Sequence, residues 1–245
     1  MQTIIFALSI IGGIIAAIIA GLLLLCIAIY IIDFFGKSPQ KKFFVYQFFM
    51  PLIVFLCGVD IIIEGTENIP ENDGKGFMII GNHQSMFDIL VLACTLQTPI
   101  AFIAKKEIKS WPIVGKLATS IGCPYIDRDN LRQSYQAVMV EGANNIKEGI
   151  AMIIFPEGTR SKSDEVSDFK AGSFKMGTSI DAPILPVTMV NVHNAHKASI
   201  FKRVKVKAVY HQMIEPTAYK NLSSFELAKM TQTIIAKPLK LKETE

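Results

Sequence analysis

Ile4 to Ile32 is an almost uninterrupted apolar run, and no other feature restricts so tightly what this chain can become. A helix needs roughly 20 apolar residues to cross a bilayer. The run can therefore span with tilt, or enter as a segment kinked at Gly12-Gly13. A cleaved signal peptide fits poorly: no basic region precedes the run, the run is too long, and no A-x-A site follows it. Lys37, Lys41 and Lys42 come next and place that end, with the remaining chain, in the cytoplasm. A second apolar stretch, Phe43 to Gly58, is short and aromatic-rich. Two arrangements are open for it: lying in the interface, or closing a re-entrant hairpin with the first. The expected division is a membrane-embedding helical segment, 1–59, and a second domain, 60–245.

Composition supports that division. The 245 residues are 51% hydrophobic, and the excess sits in the first sixty, where the only charges are Asp33, Lys37, Lys41, Lys42 and Asp60. From about residue 61 the composition is that of a globular domain. A net charge of +4 is too small to argue for nucleic acid and suits a protein lying on anionic lipid. Cys26, Cys57, Cys94 and Cys123 show no CxxC or paired spacing, so reduced core cysteines are expected rather than a disulfide or zinc framework.

Beyond residue 60, short β-like runs alternate with helix-like ones, the pattern of an α/β domain. Strands are expected at Asp60–Glu64, Gly76–Ile80, Ile100–Ala104, Tyr125–Asp127, Ala151–Phe155, Ile184–Val190 and Lys202–Tyr210. In the last, Arg203, Lys205 and Lys207 alternate with Val204 and Val206, which suggests one wet face near an edge. Helices are expected at Met86–Leu96, Trp111–Ile121, Leu131–Lys147, Gly172–Ser179 and Ser224–Lys237. Three of the strands end in chemistry: FMII in Gly81-Asn82-His83, YID in Arg128, and AMIIF in Pro156-Glu157-Gly158-Thr159-Arg160. Ligands gather at the C-terminal edge of open α/β sheets. If these strands are parallel neighbours, the three stretches converge.

His83 and Asp88 are five residues apart in GNHQSMFD. On a continuous helix they would point about 140° apart. They can touch if His83 lies in the turn after the strand and the helix begins near Ser85, leaving Asp88 in the first helical turn where the dipole favours negative charge. Asp88 would then fix the imidazole tautomer and leave the other nitrogen free to take a proton. Ser85 is poorly placed as a nucleophile, because residues i and i+2 face different ways, and no GxSxG elbow occurs. A base without its own nucleophile implies that the substrate brings a hydroxyl. Taken alone, H-x4-D also fits a surface histidine with an unrelated aspartate.

FPEGTRS, residues 155–161, adds phosphate chemistry. Gly158 lets backbone N–H groups approach a ligand, Arg160 offers a planar fork for phosphate oxygens, and Thr159 and Ser161 add hydroxyls. A surface turn closed by a Glu157–Arg160 pair is the alternative. Arg128 is either a second phosphate contact or a partner of Asp127 or Asp129, and Lys170 either binds phosphate or is solvated. Lys105, Lys106, Lys109 and Lys116, beside Trp111 and Ile113, form a basic face that is either solvated or meets anionic lipid or an acyl carrier. His193 and His196 lack a third metal ligand and are taken as loop histidines.

NHQSMFD, GCPYIDR, FPEGTRS and the ILPV segment (Ile184 to Val187) stand in the order and spacing of the glycerolipid acyltransferases. The chain most resembles the bacterial 1-acyl-sn-glycerol-3-phosphate acyltransferases over about residues 60–215. The resemblance implies that family's α/β fold, a mixed, largely parallel sheet flanked by helices, on a membrane surface. It implies that His83, oriented by Asp88, deprotonates the sn-2 hydroxyl of lysophosphatidic acid, which attacks an acyl thioester of coenzyme A or acyl-carrier protein to give phosphatidic acid for phospholipid synthesis. Arg128, Glu157, Gly158, Thr159 and Arg160 would hold the glycerol phosphate, and Pro186 would shape the acyl end. Such a transfer needs a base but neither metal nor cofactor. Pro124 departs from the aliphatic residue usual in the family and blurs the strand boundary before Tyr125.

Overall fold

The computed structural model describes residues 39–112 and 114–241, together with residues 12, 13, 19, 21, 23, 27 and 30. The run Ile4–Ile32 and Lys37 thus lie outside the described residues, apart from those scattered positions. No helix among the described residues is long and apolar enough to cross a membrane.

Helix α1, Pro39–Leu56, occupies the second apolar stretch. It is apolar on more than one side. Phe43, Tyr46, Met50 and Val54 are buried against the sheet, while Phe44, Phe48, Leu52 and Phe55 are exposed at helical spacing. The chain then leaves α1 through Gly58, whose φ of 76° only glycine adopts cheaply and where a Cβ would lie 2.0 Å from the Ser199 carbonyl oxygen.

The strands are β1 (Val59–Glu64), β2 (Met78–Gly81), β3 (Ile100–Phe102), β4 (Ala104–Lys105), β5 (Tyr125–Ile126), β6 (Ala151–Ile154), β7 (Ile184–Val190) and β8 (Val204–Tyr210). The helices after α1 are α2 (Phe87–Thr95), α3 (Val114–Ser120), α4 (Leu131–Lys147), α5 (Lys175–Thr178), α6 (Pro216–Tyr219) and α7 (Ser224–Leu241). Six strands form one sheet in the order β1-β8-β7-β2-β6-β3. β7, β2, β6 and β3 run parallel; β8 runs against β7, and β1 runs with β8. The sheet is therefore mixed and largely parallel, as expected. β8 is one strand in from the edge, where Lys207 meets Glu64 of β1 at 2.7 Å.

The central strands are apolar on both faces because helices cover both. Ile79, Ile153, Leu185, Val187 and Met189 point into one core with α1 and α2. Met78, Ile80, Met152, Ile154 and Ile184 point into the other with α4 and α7. Pro186 would leave a ladder gap in this central strand, and the gap falls at a bulge. Val187 faces Tyr210 whereas Ile184 bridges Ile214, one residue out of register. α7 starts with a capping box, in which Ser223 Oγ accepts the Glu226 N–H and Glu226 Oε2 accepts the Ser223 N–H. It runs past Pro238, where the sequence suggests a stop, because Ile235 and Leu239 are buried on its inner face.

Two expected strands differ. Ile100–Ala104 breaks into β3 and β4, and β5 leaves the main sheet to pair with β4 as a two-stranded ribbon. Pro124 supplies the carbonyl that receives the Ala104 N–H at 2.9 Å, which anchors the ribbon before Tyr125.

His211 reports on the packing of α7. Its Nε2 lies 2.8 Å from Thr188 Oγ1, and that hydroxyl donates to the Ile235 carbonyl at 2.7 Å. Burial, and secondarily Lys237, holds the His211 pKa below 6.5. The unfolded chain therefore binds more protons as pH falls through 6.5, so the stability tied to the neutral ring is complete above that pH and lost below it. Denaturant unfolding at about pH 7.5 and about pH 5.5 should show wild type losing more stability on acidification than His211→Gln. Equal losses would remove His211 as a contributor.

Candidate active site

β2 and β6 are adjacent parallel strands, with Ile80 opposite Ile154. Their C-terminal turns therefore emerge side by side, and those turns carry His83 and FPEGTRS.

His83 is held at four points. Its ring Nδ1 lies 2.7 Å from Asp88 Oδ2. Its backbone N–H donates to Glu157 Oε1 at 2.7 Å, and its carbonyl accepts the Ser161 N–H at 2.8 Å. One face of the ring stacks on Phe155, with centroids 4.2 Å apart and planes 10° from parallel. The imidazole is 18% exposed. A carboxylate only accepts, so Nδ1 carries the hydrogen and Nε2 keeps its lone pair.

Asp88 sits in the first turn of α2, as the spacing requires. Its Oδ2 also accepts the Gln84 N–H at 2.8 Å and the Ser85 N–H at 2.9 Å, so one oxygen gathers three donors. Burial pushes its carboxyl above the usual carboxylate range, and the three donors work the other way. The Ser85 hydroxyl accepts the Phe87 N–H at 3.4 Å, at the start of α2.

The residues flanking His83 are buried amides. Asn82 exchanges two hydrogen bonds with the backbone of Met189, at 2.7 and 2.9 Å. Gln84 donates to the Met189 carbonyl and to Asp164 Oδ1, and its Oε1 accepts the Val192 and His193 N–H groups. These contacts clamp the His83 turn onto the end of β7. His193 Nδ1 lies 3.4 Å from Gln84 Oε1, and His196 Nδ1 donates to the His193 carbonyl.

Glu157 is placed differently from the expectation that grouped it with phosphate contacts. It is 4% exposed, and both oxygens receive backbone N–H groups, from His83 and from Ser167 at 3.1 Å. It does not pair with Arg160. Burial raises its pKa against those hydrogen bonds.

The cations converge on Gly158. Arg128 Nη2 donates to the Gly158 carbonyl at 3.0 Å, although β5 lies outside the main sheet. Asp127 is bridged to Lys106 at 2.8 Å, not to Arg128. Gly158 has φ 75°, and a Cβ there would lie 2.5 Å from Lys170 Nζ. The left-handed φ favours glycine there, and the Lys170 ammonium occupies the space a Cβ would take. Thr159 and Arg160 are exposed next to this cluster. Pro186 is buried inside β7, opposite Ile80, with its carbonyl accepting the His211 N–H.

Phe155, Asn82 and Gln84 are the site residues that motif spacing misses. Their signal is positional: Phe155 and Glu157 are two apart at a strand end and so face one side, while two uncharged amides bracket a histidine between an apolar strand and an apolar helix.

The chain is similar to known acyltransferases. The Acyltransferase family profile matches residues 60–190. A 1-acyl-sn-glycerol-3-phosphate acyltransferase of Borreliella burgdorferi is 33% identical over 193 residues, covering 78% of this chain and 75% of that protein. A probable 1-acyl-sn-glycerol-3-phosphate acyltransferase of Mycoplasma genitalium is 28% identical, with coverage of 82% and 79%. The crystal structure of the 1-acyl-sn-glycerophosphate acyltransferase PlsC from Thermotoga maritima shares the fold, with a TM-score of 0.65 at 23% identity over 91% of this chain and 96% of that one. With His83, Asp88 and the FPEGTRS loop all inside the matched segment, the chain belongs to the acyltransferase family.

Proposed function

We propose that this enzyme transfers a fatty acyl group from an acyl thioester to the sn-2 hydroxyl of 1-acyl-sn-glycerol-3-phosphate, making phosphatidic acid at the cytoplasmic face of a membrane. The observation that carries the reading is a histidine fixed by Asp88 and bonded through its own backbone to the loop where Arg128 and Lys170 meet. Base and cations are thereby tied to one loop rather than scattered. The names of the relatives support the acceptor.

In this mechanism His83 Nε2 takes the hydroxyl proton as the oxygen attacks the thioester carbonyl. The imidazolium is stabilised by Asp88. Collapse of the tetrahedral intermediate forms the ester, breaks the C–S bond, and returns the proton to the departing thiolate, so that a thiol leaves. Arg128, Arg160 and Lys170, with the Thr159 hydroxyl, hold the phosphate; Glu157 holds His83. Coenzyme A and acyl-carrier protein are both acidic donors that suit a basic rim. The aromatic outer face of α1, beside the apolar run 4–32, supports contact with lipid.

A panel of lysolipids presented in micelles, each with both donor types, tests the reading. Lysophosphatidate should be the best acceptor; a place among the poorest would overturn the assignment. Arg160→Ala should raise the KM for lysophosphatidate about 10- to 100-fold and leave kcat within a few-fold, because a charged contact to a non-reacting group is removed. An unchanged KM would take Arg160 out of the phosphate site.

A further inference from the structure

We infer that the turn carrying Phe201 is a second bilayer contact, which inserts its aromatic ring among anionic lipid headgroups beside α1. The inference rests on the membrane reading given above and adds to it a site, a residue and a lipid charge.

Phe201 is 79% exposed, more than Phe44 or Phe48 at 74% on the outer face of α1. Its exposure is built in. Reciprocal backbone hydrogen bonds between Ser199 and Lys202, at 2.9 and 3.0 Å, close a tight turn with Ile200 and Phe201 at the tip. A single exposed ring is ordinary on a protein surface, but one that adjoins an exposed apolar stripe enlarges a patch of the kind that marks membrane contact.

The turn is physically continuous with α1. The Arg203 guanidinium lies 4.6 Å over the Phe55 ring, at the end of the exposed stripe Phe44-Phe48-Leu52-Phe55. It also donates to the Phe55 carbonyl and makes a two-nitrogen contact with Asp60. Ser199 seats directly against Gly58, between α1 and β1. A bilayer that receives the stripe therefore meets the tip of this turn.

The charge around the tip selects the lipid. Lys202 follows Phe201 in the turn, and Lys197 and Lys205, within four residues of it in sequence, are exposed. Asp60, the β1 carboxylate at this end of the strand, is already engaged by Arg203. An aromatic ring flanked in sequence by lysines fits an anionic headgroup layer, in which the ring enters the acyl boundary and the ammonium groups stay at the phosphates.

Trp111 is the single tryptophan of the chain, so a full-length Trp111→Phe, Phe201→Trp variant has one indole, placed at the turn. In phosphatidylglycerol vesicles its emission should shift to the blue and be quenched at least twofold by lipids brominated on the acyl chain. Adding Lys202→Glu and Lys205→Glu should halve that quenching or more. An indole that emits as in water, or that shifts to the blue without bromine quenching because a second copy of the chain covers it, overturns the inference. So does quenching as strong in phosphatidylcholine, or indifferent to the lysine changes, because the anionic lipid would then have no part. The same variant is assayed for acyl transfer to lysophosphatidate in micelles. Activity without quenching refutes the turn alone; quenching without activity in either this variant or wild type refutes the acyltransferase assignment and leaves the contact standing.

Discussion

His83→Ala should cut phosphatidate formation about 10³-fold, within the 10²–10⁴ range of a positioned general base. Melting temperature should barely change, because the ring's only polar tie is to Asp88. The loss should appear in kcat, with KM for lysophosphatidate little altered, since the residues proposed to hold the phosphate are untouched. Asp88→Asn separates orientation from basicity. The Gln84 and Ser85 N–H groups hold the amide oxygen where Oδ2 stood, so Nδ1 keeps an acceptor, but the imidazolium that forms loses its counter-charge. A fall of about 10²-fold or more is expected with the ring still in place. Near-normal turnover in His83→Ala, measured with either thioester donor, would defeat the general-base mechanism. It would favour instead a lipid-binding protein without chemistry.

Much of this site was legible in the sequence because each part obeys a local rule. An i, i+5 pair cannot meet on a helix, so a bonded His83 and Asp88 requires a helix start between them, and α2 starts at Phe87. Continuous apolar runs such as MII and AMII read as buried parallel strands. Two kinds of fact were hidden. One is partnership at long range. Whether Tyr125–Ile126 joins the main sheet or a side ribbon depends on the break at Ile103, and both choices are equally apolar. Arg128 reaches Gly158 all the same. The other is the division of labour within a motif. Glu157 and Arg160 are three residues apart and oppositely charged, and sequence treats both as polar surface. Only the placement of the His83 and Ser167 amides shows that Glu157 faces inward. The two-sided character of α1 was similarly open, because a stripe for lipid and a stripe for the core look alike in composition.

Glu157→Gln tests that division of labour. Glu157 is a buried carboxylate whose two oxygens accept two backbone N–H groups, one of them from His83. Glutamine keeps the length but supplies one acceptor and one NH2 donor. Whichever way the amide turns, one buried N–H faces another donor, at a cost of roughly 1–3 kcal/mol. Both orientations disturb the site. If the His83 amide is abandoned, the ring shifts off Phe155 and away from Asp88. If the Ser167 amide is abandoned, the loop following FPEGTRS loosens. A displacement of about 1 Å at a reacting group can cost about 10²-fold, so kcat should fall about 10- to 100-fold, while KM for lysophosphatidate stays within about twofold. A direct role at the phosphate predicts something else. Removing a negative charge beside an anionic head would lower KM, and removing a useful contact would raise it. Melting temperature gives an independent reading, because lost backbone acceptors destabilise the fold and a lost substrate contact does not. A variant with normal kcat, unchanged melting and an altered KM would return Glu157 to the substrate. The opposite pattern would leave the phosphate to Arg128, Arg160 and Lys170, and make Glu157 the group that keeps the general base where the acceptor hydroxyl arrives.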